Sequence, residues 1–177
     1  QVECPMIVAW FPPEDVARFA KDAPEKLASC GKVTRSIKVA LLDDDGKPVP
    51  KGEAGEICVR GVLVSHSYFE KPEETAEVRK FGWHHTGDVG KFDDEGYLYI
   101  VDRKKDMVVS GGFNVFTSEV EAAVTELPQV RECAVIGIPH EKWGEQVHAI
   151  VVGDGVDEAA IIVHCKARLG GVKAPKS

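Results

Sequence analysis

The chain has 177 residues, 44% of them hydrophobic and 29% charged, which is the composition of a water-soluble folded protein with room for one domain or two small ones. A formal net charge of −7 argues against a nucleic-acid binder, which normally presents a basic face, although a local basic cleft for ATP or coenzyme A remains compatible with it. No apolar run approaches the ~18 residues of a membrane span, so no integral membrane segment is expected. No signal peptide opens the chain, and Gln1 is not a natural start, so the first residue reads as a cut inside a longer protein. Cys4, Cys30, Cys58, Cys133 and Cys165 are odd in number and lack a Cys-x-x-Cys pair, which fits reduced thiols and a cytoplasmic location. His84 and His85 are adjacent and point apart in an extended strand, so they make a poor zinc clamp.

From Val33 to about Asp102 short β-runs alternate with turn signals. SIKVALL leads into DDDG, GEICVRGV follows KGEAG, and KFDDEGYLYIVD reads as a hairpin folded at Asp93 to Gly96. One helix interrupts them, KPEETAEVRKF, with Pro72 near its first turn and Glu73 and Glu74 at the positive end of its dipole. After Arg103 the rhythm becomes strand, helix, two strands, helix. DMVVS is the strand, Ser118 and Glu121 suggest a capping box for VEAAVTEL, and Pro128 stops that helix. ECAVIGI and QVHAIVV flank the turn PHEKWGE, and Asp157 is placed to cap DEAAIIVHCKARL, which Gly170 and Gly171 close. The expected fold class is α+β: a small β-barrel-like subdomain over residues 1–104, followed by a small α+β module over residues 105–177.

Within this frame three places carry chemistry. Asp88 in HHTGDVG follows a glycine at a strand start; it reads first as a turn-stabilising aspartate, and alternatively as an acceptor for two vicinal ribose hydroxyls. Arg103 lies one strand, one turn and one strand further on, so its guanidinium returns toward the Asp88 end of the hairpin, although alone it is an ordinary surface cation. Gly111 and Gly112 follow DMVVS and are either a bend or a place where a ligand runs against bare backbone. Three enzyme classes find no support. Lys26 and Val33 break a phosphate-binding loop around Lys32, Gly153 and Gly155 lack the third glycine of a dinucleotide fingerprint, and GxSxG is absent.

Taken together these residues resemble the adenylate-forming superfamily of acyl-CoA synthetases, luciferases and nonribosomal adenylation domains, and most closely fatty or aryl acid CoA ligases. GEICVRGVLVSHSYFEKPEETAEV is similar to the family's GE-x-x-x-x-G-x-x-x-x-x-GY, HHTGDVG to its [YW]-x-TGD, and DRKKDMVVSGGFNVFTSEVE to its GR-x-D-x-I-x-x-GG-x-x-x-x-x-x-E-[IV]-E. Asp102 replaces a common glycine before Arg103, and Ser67 another before Tyr68. The resemblance implies that ATP and a carboxylic acid give an acyl-adenylate and pyrophosphate, after which a thiol, usually coenzyme A, displaces AMP. It implies that Asp88 and Arg103 hold the ribose. QVEC is similar to the end of YG-x-TE, with Val2 in place of threonine, so Glu3 is the implied Mg²⁺ ligand; a single carboxylate with phosphate oxygens and water suits that ion. Lys105 falls at the family's hinge, with residues 105–177 as a moving C-terminal lid. Gly111 and Gly112 then line a thiol tunnel, and Trp143 resembles a coenzyme A contact.

The resemblance also places a phosphate-wrapping loop and most of the acyl pocket before Gln1, and the adenylation lysine after Ser177, so Lys173 and Lys176 are not assigned catalytic roles and the 177 residues alone are expected to be inactive. Two other readings stand beside a coenzyme A ligase. One is an adenylation domain loading a carrier-protein thiol, and the other is a non-catalytic binding module.

Overall fold

A computed structural model describes residues 3–4 and 8–177, so Val2 of the QVEC segment lies outside the described residues. The chain divides into two units, Gln1–Val101 and Asp102–Ser177, each with its own hydrophobic core. No helix among the described residues is long and apolar enough to cross a membrane.

The first unit begins with β1 (Ala9–Trp10), helix α1 (Pro13–Asp22), a 3₁₀ turn (Pro24–Ala28) and β2 (Lys32–Val33), which pairs antiparallel with β1. Pro13 at the first helical position and Glu14 and Asp15 in the first turn favour α1, yet Phe19 is its one buried residue. The segment is strongly amphipathic at the helical period, although no helix was expected here. Phe19 meets Tyr97 at 5.3 Å between ring centroids, and the Tyr97 hydroxyl donates to Asp15 Oδ2 at 2.6 Å.

Four strands, β3 (Lys38–Leu42), β4 (Gly55–Arg60), β5 (His84–Phe92) and β6 (Leu98–Arg103), form one sheet in chain order, with α2 (Pro72–Val78) between β4 and β5. The expected β-rich character is present, but the sheet is open at β3 and β6 and no closed barrel forms among the described residues. The hairpin turn falls where expected: Asp93 Oδ1 accepts from the Glu95 and Tyr97 amides, each at 2.9 Å, an Asx-type turn that leads into Gly96 at φ 82°. Ile37, Leu41, Ile57, Val59, Val64 and Leu98 form the core of this unit.

The second unit contains β7 (Val108–Ser110), β8 (Phe113–Val115), α3 (Thr117–Thr125), β9 (Val130–His140), β10 (Gly144–Gly153) and α4 (Glu158–Leu169), with sheet order β8-β7-β10-β9. The α+β class holds, with one strand more than expected. Gly111 and Gly112 form a two-residue turn between the paired Ser110 and Phe113, and both have positive φ, 59° and 82°. Such a turn matches the right-handed twist of its strands, and glycine is the residue that enters it without strain.

The capping box expected for α3 does not form. Ser118 lies inside the helix, and the flanking Phe116 offers no side-chain acceptor. Asp102 performs the task from outside: its Oδ2 accepts the Thr117 hydroxyl at 3.0 Å and the Ser118 amide at 3.3 Å. Glu121, freed from capping, accepts the Val135 amide of β9 at 2.9 Å. The caps of α4 are those expected, with Asp157 Oδ1 accepting from Ala159 at 3.1 Å and Gly170 at φ 82° closing the helix.

Candidate active site

In the first unit the register between β4 and β5 breaks at one point. Glu56 pairs with Val89 and Cys58 with His85, so one residue of β4, Ile57, faces three of β5, Thr86, Gly87 and Asp88. The surplus residues leave the ladder as a bulge, the device by which a sheet re-aims a side chain. Gly87 takes φ 74° within it, and the Asp88 amide donates to Thr86 Oγ1 at 3.1 Å. Asp88 and Thr86 are thereby placed in the wall of a cavity of about 270 Å³, otherwise lined by apolar groups that include Val8, Ile57, Val59, Leu98 and Ile100. An apolar slot with a carboxylate and a hydroxyl at one side is suited to a flat, partly polar ligand.

Glu56 is 6% exposed and stands under this bulge. Its Oε1 accepts from the Gly87 amide at 3.1 Å, and its Oε2 lies 2.9 Å from His85 Nδ1. Cys58 Sγ approaches the same nitrogen at 3.4 Å. Glu56, Cys58 and His85 are thus the compact trio that His84 and His85 are not, with donor atoms within 4.8 Å of one another. The 2.9 Å contact has hydrogen-bond geometry, and its direction follows the His85 tautomer.

Glu3 is held at two points. Its carbonyl accepts from Ser65 at 2.7 Å, and its Oε1 accepts from the Tyr68 hydroxyl at 2.9 Å. Its own backbone N–H and then Tyr68 draw the carboxyl below its ordinary pKa, while the same hydrogen bond pushes the Tyr68 hydroxyl up. An ionised, half-buried carboxylate with one oxygen engaged meets the demand of Mg²⁺ for a single acidic ligand beside phosphate oxygens. Tyr68 and Glu56 had no role assigned from the sequence. Their signal was present only as the tyrosine and the leading glutamate of the first family-like segment.

The second unit holds the remaining candidates. Arg103 and Lys105 are exposed, and the Arg103 carbonyl accepts from Asp106 at 3.1 Å and Met107 at 3.2 Å, which puts Lys105 inside a tight turn. Gly111 and Trp143 come together: the Gly111 amide donates to the Trp143 carbonyl at 2.9 Å, and a β-carbon on Gly111 would lie 3.7 Å from Trp143 Cδ1. Around Gly112 a β-carbon would meet nothing within 4 Å, so that glycine presents open backbone while Gly111 lies against the indole. His140 stacks on Trp143 with centroids 4.3 Å apart, fixing the ring plane. Lys173 is paired to Glu119 at 2.7 Å, and Lys176, its pKa lowered first by burial, sits 5.8 Å over the Trp143 ring. Asp88 belongs to the first unit, whereas Arg103, Lys105, Gly111, Gly112 and Trp143 belong to the second.

Comparison with known proteins adds a frame to this geometry. Residues 2–69 match the model of the AMP-binding enzyme family, and residues 119–177 match that of the AMP-binding enzyme C-terminal domain. A medium/long-chain-fatty-acid–CoA ligase of Mycobacterium tuberculosis, FadD8, is 46% identical, over 99% of this chain and 32% of its own length. A 2-succinylbenzoate–CoA ligase of Geobacillus kaustophilus is 41% identical, over 92% of this chain and 34% of its own. The o-succinylbenzoate CoA synthetase of Bacillus subtilis, solved with its acyl-adenylate intermediate, superposes with a TM-score of 0.82 at 35% identity, over 99% of this chain and 35% of that one. The chain therefore spans about a third of the length of the relatives it matches.

Proposed function

This chain belongs to the AMP-binding, adenylate-forming enzyme family, and on that premise we propose that the whole protein is an AMP-forming acid–thiol ligase. It condenses a fatty or aromatic carboxylic acid with ATP to an acyl-adenylate and pyrophosphate, then transfers the acyl group to coenzyme A with release of AMP. The protein acts in the cytoplasm. The observation that carries this reading is the β5 bulge, which sets Asp88 into the wall of an apolar cavity where a nucleoside can lie and its ribose hydroxyls can donate to the carboxylate.

Asp88 and Arg103 hold the ribose in this reading. The Glu3 carboxylate is the protein's ligand to Mg²⁺, whose contribution when bound is to neutralise phosphate charge as pyrophosphate leaves. Lys105 is the hinge of a lid formed by residues 105–177. Its turn has the form a hinge needs, a few torsions at the end of an element with packed bodies on either side. Gly111, Gly112 and Trp143 serve the coenzyme A side, where a pantetheine arm passes against backbone without β-carbons.

The test is ATP–pyrophosphate exchange by the full-length protein against a panel of fatty and aromatic acids, followed by discharge of the adenylate with free coenzyme A. Exchange with no acid would refute the reading, and exchange without discharge by coenzyme A would assign the thiol to a carrier protein. Asp88→Ala in the same protein is expected to weaken ATP use severely, since each hydrogen bond to a charged group contributes ~1.5–3 kcal/mol. Residues 1–177 alone are expected to show no exchange above background.

A further inference from the structure

We infer that Glu56 is the positioning residue for Asp88, acting through the backbone of the β5 bulge; the inference rests on the assignment of Asp88 to the nucleotide. Three residues of β5 face one of β4 at this point, so the regular exchange of main-chain bonds with β4 is interrupted across the bulge. The Gly87 amide, immediately before Asp88, turns instead to Glu56 Oε1 at 3.1 Å. A side chain of β4 supplies the acceptor at the Thr86–Gly87 peptide, one residue before Asp88.

Glu56 is itself fixed. It is 6% exposed, and the second carboxylate oxygen is held by His85 Nδ1 at 2.9 Å, so the group cannot rotate away without stranding two donors. His85 lies on the same strand, immediately before the bulge, and pairs with Cys58 across the ladder. Its Nε2 is buried and has no hydrogen-bond partner among the described residues, which leaves Nδ1 to carry the ring's proton and donate it to Glu56. The two contacts therefore brace the bulge at both ends: His85 at its entry and Gly87 beside Asp88. One carboxyl group thus serves both contacts. Gly87 stands at φ 74°, and a β-carbon there would find no atom within 4 Å. On that side no packing contact competes with the Glu56 acceptor.

The experiment uses the full-length protein with Glu56→Gln, an isosteric change whose single amide oxygen can serve Gly87 or His85 but not both. The expected result is a KM for ATP raised about tenfold and AMP binding by titration calorimetry weakened to match, with the KM for acid and for coenzyme A within about twofold of wild type. On an Asp88→Ala background Glu56→Gln should add no further loss, because a residue that acts through Asp88 has nothing left to act on. Glu56→Ala should exceed the glutamine change; if it does not fold, the glutamine variant decides. An unchanged KM for ATP, an equal loss toward all three substrates, or a loss that multiplies with Asp88→Ala would overturn the inference while leaving the ligase reading intact. A wild-type protein that forms no adenylate would instead refute the ligase reading, whereas weakened AMP binding by Glu56→Gln would still support the brace.

Discussion

Tyr68 donates a 2.9 Å hydrogen bond to the carboxylate of Glu3, joining residues 65 positions apart. The Glu3 backbone N–H first and this bond second lower the Glu3 pKa, and the bond raises that of Tyr68, so the pair is a fixed carboxylate with a neutral phenol beside it. Removing the hydroxyl with Tyr68→Phe costs about 1 kcal/mol of support and lets the carboxylate rotate. In the full-length enzyme the Mg²⁺ concentration for half-maximal adenylation is expected to rise several-fold while the KM for the acid holds. An unchanged Mg²⁺ requirement would detach Tyr68 from the Glu3 role.

Gly112→Ala separates space from backbone. No atom obstructs a β-carbon there, so the cost is that of a non-glycine residue at φ 82°, about 1–2 kcal/mol. If the bare turn also borders the pantetheine path, the KM for coenzyme A rises and ATP–pyrophosphate exchange continues at its wild-type rate. A purely structural turn predicts lower stability with both half-reactions unchanged in KM.

Asp102→Ala removes the cap of α3, leaving the Ser118 amide and the Thr117 hydroxyl without that acceptor. The expected loss is about 1–2 kcal/mol, the usual cost of deleting an N-cap acceptor. It is read as a lower denaturation midpoint, and Asp102→Asn, which keeps one acceptor oxygen, should recover part of it.

Much of the architecture was legible where local chemistry decides it: Pro72 at the start of α2, Asp93 to Gly96 in the hairpin turn, Asp157 and Gly170 at the ends of α4. The α3 cap was not, because Ser118 and Glu121 satisfy the local pattern while Asp102 and Val135 compete for the same groups from distant parts of the chain. The β5 bulge was illegible for a related reason. HHTGDVG shows that a turn-like glycine precedes Asp88, but the three-against-one register exists only once β4 is laid beside it. Gly111 and Gly112 illustrate a signal with two sufficient causes, since a two-residue hairpin turn accounts for them before any ligand is invoked.

His84 is 3% exposed, and burial first, then the neighbouring Arg79, lowers its pKa below 6.5. The unfolded chain therefore binds a proton more readily than the folded one between that lowered value and 6.5. Stability contributed by keeping His84 neutral is present above the unfolded pKa and is lost as pH falls through the folded one. The denaturation midpoint should drop on acidification below about pH 6.5, and His84→Leu should flatten that part of the profile. A wild-type profile with no such slope, or one identical in the variant, would show that His84 does not titrate on unfolding.

Lys105→Pro tests the hinge. The Arg103 carbonyl accepts from Asp106, which makes Lys105 the third residue of the turn, a position where proline fixes its own φ and forces Lys104 out of the right-handed helical region. The substitution therefore locks one torsion and disfavours the present turn. If Lys105 is where the lid swings, adenylation should persist within a few-fold of wild type while thioester formation falls by about a hundredfold, because only the second half-reaction requires the new orientation. Lys105→Ala keeps the torsions free and should leave both rates near wild type. Equal loss of the two half-reactions in the proline variant would mean that the turn supports the fold of the second unit and that the hinge lies elsewhere.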